Sequence, residues 1–186
     1  GGAADSTGSY GSVIASNDCI LTELRGQAHG ANPRSFCAEG YGLLANLRLI
    51  LHLLNFFEIH RTALVLTLYC DNKGLLERLE ITRNSTYIKP RRFLLSESDL
   101  EMQIVDTLSL LATTAHVQHV KGHQDDSIPP DDLPWPAQLN VRCADLSTDE
   151  LDRIEHPTPL VPFFPARLVS LPALGTTLTH HSPHHT

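Results

Sequence analysis

Residues 64–70 (LVLTLYC) form a nearly continuous apolar run that ends on Asp71. A run of that length with a polar stop reads as a β-strand buried on both faces, which demands strands at its edges and helices above and below. The expected class is therefore α/β. Asp71 then sits at the carboxyl end of a buried strand, where open sheets gather their functional groups.

The flanking segments agree. Residues 9–16 (SYGSVIAS) and 19–25 (CILTELR) are β-type runs separated by Asn17-Asp18, a hairpin signal. Ser35 can cap a helix reaching about Asn55, whose apolar positions Phe36, Leu43, Leu44, Leu47, Ile50, Leu51 and Leu54 recur at helical steps. Residues 72–79 predict a short helix. Ser98 and Glu101 form a capping-box pattern ahead of a helix with Ile104, Leu108 and Leu111 on one face. Residues 115–120 (AHVQHV) alternate like a second strand, 121–134 read as a polar, proline-rich loop, and Pro136 opens a last helix to about Leu151.

Composition bounds the rest. A chain of 186 residues, 41% apolar and 19% charged, supports one hydrophobic core and is not a disordered acidic polymer. With 14 Lys+Arg against 21 Asp+Glu the net charge is -7, so a broadly basic coat is excluded and any grip on nucleic acid must be local. The one basic cluster, residues 83–92, carries Arg83, Lys89, Arg91 and Arg92 without an acid. Six of the twelve prolines and the closely spaced His180, His181, His184 and His185 fall within residues 156–186, which read as an extended tail behind a folded domain at 1–155. The four cysteines, Cys19, Cys37, Cys70 and Cys143, lack CxxC spacing and read as reduced thiols. The longest greasy run, residues 47–59, is broken by Arg48, His52, Asn55 and Glu58 and is too short to cross a bilayer. No membrane partner is expected, and with no basic-then-apolar leader the expected location is intracellular, cytoplasmic or nuclear.

Taken singly, the acids have ordinary structural readings: Glu39 as a first-turn acid favoured by the helix dipole, Asp71 as the cap of the next helix. Their company changes the weighting. In order along residues 1–151 stand GSYGSVI, FCAEGYGLL, LYCDNKGLL, HVKGHQDD and LNVRCADL. This set resembles the type 1 ribonuclease H domain, in the version carried by retroelement polyproteins, and VKGH followed by NxRC is its most specific part.

The resemblance implies a ribonuclease H-like mixed sheet flanked by helices, and a metal-dependent endonuclease that cuts the RNA strand of an RNA–DNA hybrid. It implies Mg²⁺, with Mn²⁺ as a substitute, held by oxygen ligands that leave room for the scissile phosphate and water. Carried over by position, Glu39 matches the helix glutamate, Asp71 the strand-end aspartate and His123 the loop histidine that assists proton transfer or product release. Arg83, Lys89, Arg91 and Arg92 become candidate phosphate contacts. The hybrid's wide minor groove exposes the 2′-hydroxyls that mark the RNA strand.

Two positions depart from the family pattern. The aspartate on the family's first, central strand would fall immediately before Gly1, so the resemblance implies an N-terminally truncated domain lacking that strand. Asp5 precedes Tyr10 by too little chain for a strand and turn. The last family aspartate falls on Ala144, with Asp145 one residue later, a step of about 100° round a helix. Asp145 is the nearest acid and hence the candidate fourth group. These departures motivate an alternative: a non-catalytic ribonuclease H-like module that binds nucleic acid or protein.

Overall fold

The computed structural model describes residues 8–28, 34–60, 64–85, 95–111, 114–154, 172–173 and 176–177. The chain opens with the hairpin β1 (Gly8–Ser16) and β2 (Cys19–Ala28), followed by α1 (Ser35–Phe56), β3 (Val65–Cys70), α2 (Lys73–Asn84), α3 (Ser98–Leu111), β4 (Thr114–His119) and α4 (Trp135–Arg153). It is a mixed α/β arrangement. Two short residue pairs, Pro172–Ala173 and Thr176–Thr177, bond to each other as a minimal antiparallel ribbon.

The hairpin turns at Asn17, whose φ of 53° uses the left-handed conformation that asparagine tolerates. Its ladder slips by one residue between Ile14 and Ala15, a β-bulge. β3 and β4 run parallel, with Cys70 opposite His119. The two pairs remain separate two-stranded sheets.

One hydrophobic core joins β3 to the helices. Leu43, Leu44 and Leu47 of α1, Leu68 of β3, Leu75 and Leu79 of α2, and Ile104 and Leu111 of α3 pack together. Leu47, Leu75, Ile104 and Leu111 are fully enclosed, and each such burial stabilises the fold by roughly 1.5–3 kcal/mol. The polar interior of this layer is the Arg78–Glu101 ion pair at 2.8 Å, with the Thr82 hydroxyl donating to Glu101. The Arg78 guanidinium also lies 4.5 Å over the Phe36 ring.

The hairpin is held from both sides by α1 and α4. At Gly11 helix α4 comes so close that a Cβ would lie 2.1 Å from the Cys143 carbonyl oxygen, so only glycine fits. The Ser9 hydroxyl donates to the Ser147 carbonyl at 2.7 Å, and Ser147 Oγ donates back to the Ser9 carbonyl at 3.0 Å. At the rim, Arg142 grips Glu23 through two bonds of 2.7 and 2.9 Å.

Several sequence expectations are corrected. β3 is not buried on both faces: Val65 is 68% exposed and Tyr69 43%, because among the described residues the helical layer covers one face of the β3–β4 pair only. Ser35 does not cap α1. The cap position is Arg34, and the Ser35 hydroxyl turns forward to Glu39. The helix after Asp71 extends to Asn84, and its cap is Asn72, whose Oδ1 accepts from the Leu75 N–H at 3.0 Å. The Glu101 carboxylate meets the Arg78 guanidinium and accepts from the Thr82 hydroxyl. The cysteines are all free, as expected, with Cys37 and Cys70 buried and Cys19 exposed.

Candidate functional site

Helix α1, the end of β3 and helix α4 converge on a cavity of about 400 Å³, with the outer edge of β1 as its far wall. Glu39 enters it from the first turns of α1 and Asp71 from the carboxyl end of β3. Asn140 and Ala144 line it from α4.

Each group is oriented by its own element. Glu39 accepts from the Ser35 hydroxyl one helical turn earlier, and the Cys70 thiol donates to its other oxygen at 3.1 Å. The Asn72 amide donates to Glu39 at 3.4 Å while its oxygen caps α2, tying the carboxylate to the start of the next helix. Asn140 Nδ2 lies 3.5 Å from Asp71 Oδ2, and His119 Nε2 lies 3.1 Å from the Asp71 carbonyl oxygen. Gly122 passes so close that a Cβ there would sit 2.9 Å from Asp71 Oδ2.

Electrostatics distinguish this cluster from an ordinary polar patch. Burial, and then the neighbouring Asp71 carboxylate, raise the Glu39 pKa from 4.5 to about 7 against the opposing help of Ser35 and Cys70. Burial, followed by the Glu39 and Asp71 charges, likewise pushes the Cys70 thiol well above its ordinary value. Oxygen atoms of Glu39 and Asp71 and the Cys70 sulfur lie within 4.8 Å of one another. A carboxylate whose charge is opposed by burial and by a facing carboxylate, as Glu39 is by Asp71, could hold a divalent cation, which would reverse the sign of that interaction. The oxygen pair suits Mg²⁺ or Mn²⁺, and the sulfur is the softer member of the set.

No family model matches this chain. No curated protein and no solved structure matches it either. The site therefore stands on its own geometry.

Of the residues singled out from the sequence, Glu39 and Asp71 meet in the cavity. Asp145 does not join them: it is exposed on α4, while Ala144 occupies the cavity wall. His123 is exposed in a left-handed turn, φ 53°, ahead of the short 3₁₀ helix Gln124–Asp126, outside the cavity lining. Arg83 is exposed in the last turn of α2, with Nη1 donating to the Ala115 carbonyl at 3.1 Å. Lys89, Arg91 and Arg92, Asp5 and the four tail histidines lie outside the described residues. No described helix is long and apolar enough to cross a membrane.

Sequence reading missed four participants: Ser35, Cys70, Asn72 and Asn140. Cys70 and Asn72 flank Asp71 directly, and that adjacency was their available signal. Ser35 and Glu39 stand one helical turn apart, the spacing at which two side chains meet. Asn140 stood in the NxRC motif but was given no role there, because its contact with Asp71 depends on α4 crossing the strand end.

Proposed function

We propose that this chain is a metal-dependent endonuclease of the ribonuclease H kind, acting on the RNA strand of an RNA–DNA hybrid with weak turnover. The observation that carries the reading is the convergence of Glu39 and Asp71, from α1 and the end of β3, in one cavity. Its support is the ordered motif set, in which both residues fall on metal-ligand positions of the family it resembles.

In this reading Glu39 and Asp71 hold the cation, and Ser35, Cys70 and Asn72 fix the rotamer of Glu39. Mg²⁺ bound there would lower the pKa of the attacking water and offset charge on the scissile phosphate. Asn140 steadies Asp71 across the cavity. The loop at Gly122 passes against Asp71 and limits the positions its carboxylate can take. Arg83, with Lys89, Arg91 and Arg92 in the following segment, would meet backbone phosphates, giving the local positive charge that the acidic chain lacks globally.

The test is Mg²⁺-dependent cleavage of a labelled hybrid by the full chain. Cleavage confined to the RNA strand, and lost in Glu39→Gln and in Asp71→Asn, is the expected result. Cleavage indifferent to both substitutions would sink the reading.

A second reading is favoured by one observation: Ala144 stands in the cavity wall where the family resemblance calls for an acid, and Asp145 faces outward. On that reading the chain is a non-catalytic module that binds hybrids. Binding without cleavage, together with cleavage appearing in Ala144→Asp, would decide for it.

A further inference from the structure

Beside Glu39 and Asp71 stands a group whose metal chemistry the nuclease reading leaves unused, the Cys70 thiol. Cys70 is the last ladder residue of β3, opposite His119, and Asp71 lies in the bend beyond it. Side chains alternate along a strand, so neighbours ordinarily face opposite ways. The bend ends that alternation, and Cys70 and Asp71 both line the cavity. Cys70 Sγ lies 3.1 Å from Glu39 Oε2, and ligand atoms of Glu39, Cys70 and Asp71 all lie within 4.8 Å of one another.

A sulfur and two carboxylates discriminate between cations. Zn²⁺ takes thiolate at about 2.3 Å and carboxylate oxygen at about 2.0–2.2 Å in a tetrahedron, which sets ligand atoms about 3.5 Å apart. Cys70 and Glu39 already stand in that range, and a modest rotation of Asp71 completes the set. The fourth position then opens to the cavity, which has room for water. Mg²⁺ instead requires a near-octahedral shell of oxygens at about 2.0–2.1 Å, and a sulfur flanking Glu39 offers it nothing. Soft thiolate favours Zn²⁺, and at any one set of donors Zn²⁺ also binds more tightly than Mn²⁺.

We propose that Cys70, Glu39 and Asp71 form a three-ligand site for a thiophilic divalent cation, Zn²⁺ in the first instance, and bind it in preference to Mg²⁺. Binding breaks the Cys70 S–H bond: the sulfur keeps the electron pair for the metal and the proton leaves to solvent. The inference rests on the reading of Glu39 and Asp71 as a cation pair, and not on cleavage. Where that pair serves Mg²⁺-dependent turnover, Zn²⁺ competes with Mg²⁺ for the same carboxylates.

The probe is Cd²⁺, whose bond to thiolate gives an ultraviolet charge-transfer band, titrated into the full chain with its cysteines kept reduced by a phosphine. A band saturating at about one equivalent is expected, retained in Cys19→Ser and lost in Cys70→Ser. An equal amount of Zn²⁺ should diminish the band, whereas about a hundredfold excess of Mg²⁺ should leave it unchanged. Glu39→Gln combined with Asp71→Asn should weaken Cd²⁺ binding at least about tenfold. Zinc-edge X-ray absorption of the wild-type chain needs no variant to fold, and one sulfur neighbour at about 2.3 Å is expected. The proposal is overturned by absence of the band in the wild type, by its persistence in Cys70→Ser, or by its displacement with Mg²⁺. A zinc shell of nitrogen and oxygen alone, as the tail histidines would supply, also overturns it. A saturable Mn²⁺ site without a Cd²⁺ band would overturn this inference while leaving the nuclease reading standing.

Discussion

Glu39 and Glu101 both lie in the helical layer of this protein, and their surroundings are opposite. Glu101 is 3% exposed, yet the Arg78 guanidinium meets it at 2.8 Å and the Thr82 hydroxyl donates to it. Glu39 is less buried, but its charged neighbour is another carboxylate, and its pKa rises to about 7. The deeper acid is satisfied by residues of the fold, whereas the shallower one faces a cavity and a like charge. Burial alone therefore does not mark a candidate functional acid; a like charge facing it across an accessible cavity is the stronger sign.

The largest effect that sharpens this contrast is on the structural side. Glu101→Ala removes the carboxylate that pairs with Arg78 and accepts from Thr82 beside the core, and should cost about 3 kcal/mol of stability, measured by urea denaturation. Glu39→Gln should cost far less in the same experiment, and equal losses would erase the distinction. Next in size is the response to cation. At a hundredfold excess over Kd, Mg²⁺ or Mn²⁺ should stabilise the wild-type chain by about 2.7 kcal/mol, and should do nothing for Glu39→Gln combined with Asp71→Asn. Glu101→Ala should keep its cation response, read as a shift in melting temperature.

A smaller effect is expected at Gly122. Gly122→Ala puts a methyl 2.9 Å from Asp71 Oδ2, so Asp71 must move; a loss of about 1 kcal/mol with weakened cation affinity should follow. An effect of another kind concerns pH. Because the folded-state pKa of Glu39 is raised, the folded chain holds that proton more tightly than the unfolded chain does. The resulting stability is complete below about pH 4.5 and is lost as the pH rises through about 7. Glu39→Gln should flatten this decline in cation-free buffer, a change seen by comparing denaturation midpoints at pH 5 and pH 8.

How much of this was legible in the sequence depended on how local the determining physics was. The hairpin, the extents of α1 and α4, and the position of Asp71 at a strand end follow from short-range periodicity and turn chemistry, and the structure repeats them. The covering of β3 was misread. An apolar run resembles a doubly buried strand whether or not a second layer exists to cover it, and here Val65 and Tyr69 are exposed. Capping was misread for a different reason. Ser35 carried the right residue type for a cap, but its hydroxyl turns to Glu39 one turn ahead, and the cap position is Arg34.

The candidate site divides the same way. Glu39 and Asp71 were visible because each sits at a recognisable point of its own element, and their pairing emerged from the motif order. The fourth acid could not be placed by spacing, because one residue of helix rotation separates the cavity wall from solvent; the structure puts Ala144 on the wall and Asp145 outside.

The most direct test of the contrast is a Mn²⁺ titration of the full chain followed by electron paramagnetic resonance, comparing wild type with the Glu39→Gln, Asp71→Asn double variant and with Glu101→Ala. One saturable site in the wild type and in Glu101→Ala, lost in the double variant, is the predicted result. Equal Mn²⁺ binding by wild type and the double variant would contradict the account, because the cation would then be held by acids other than the pair facing the cavity.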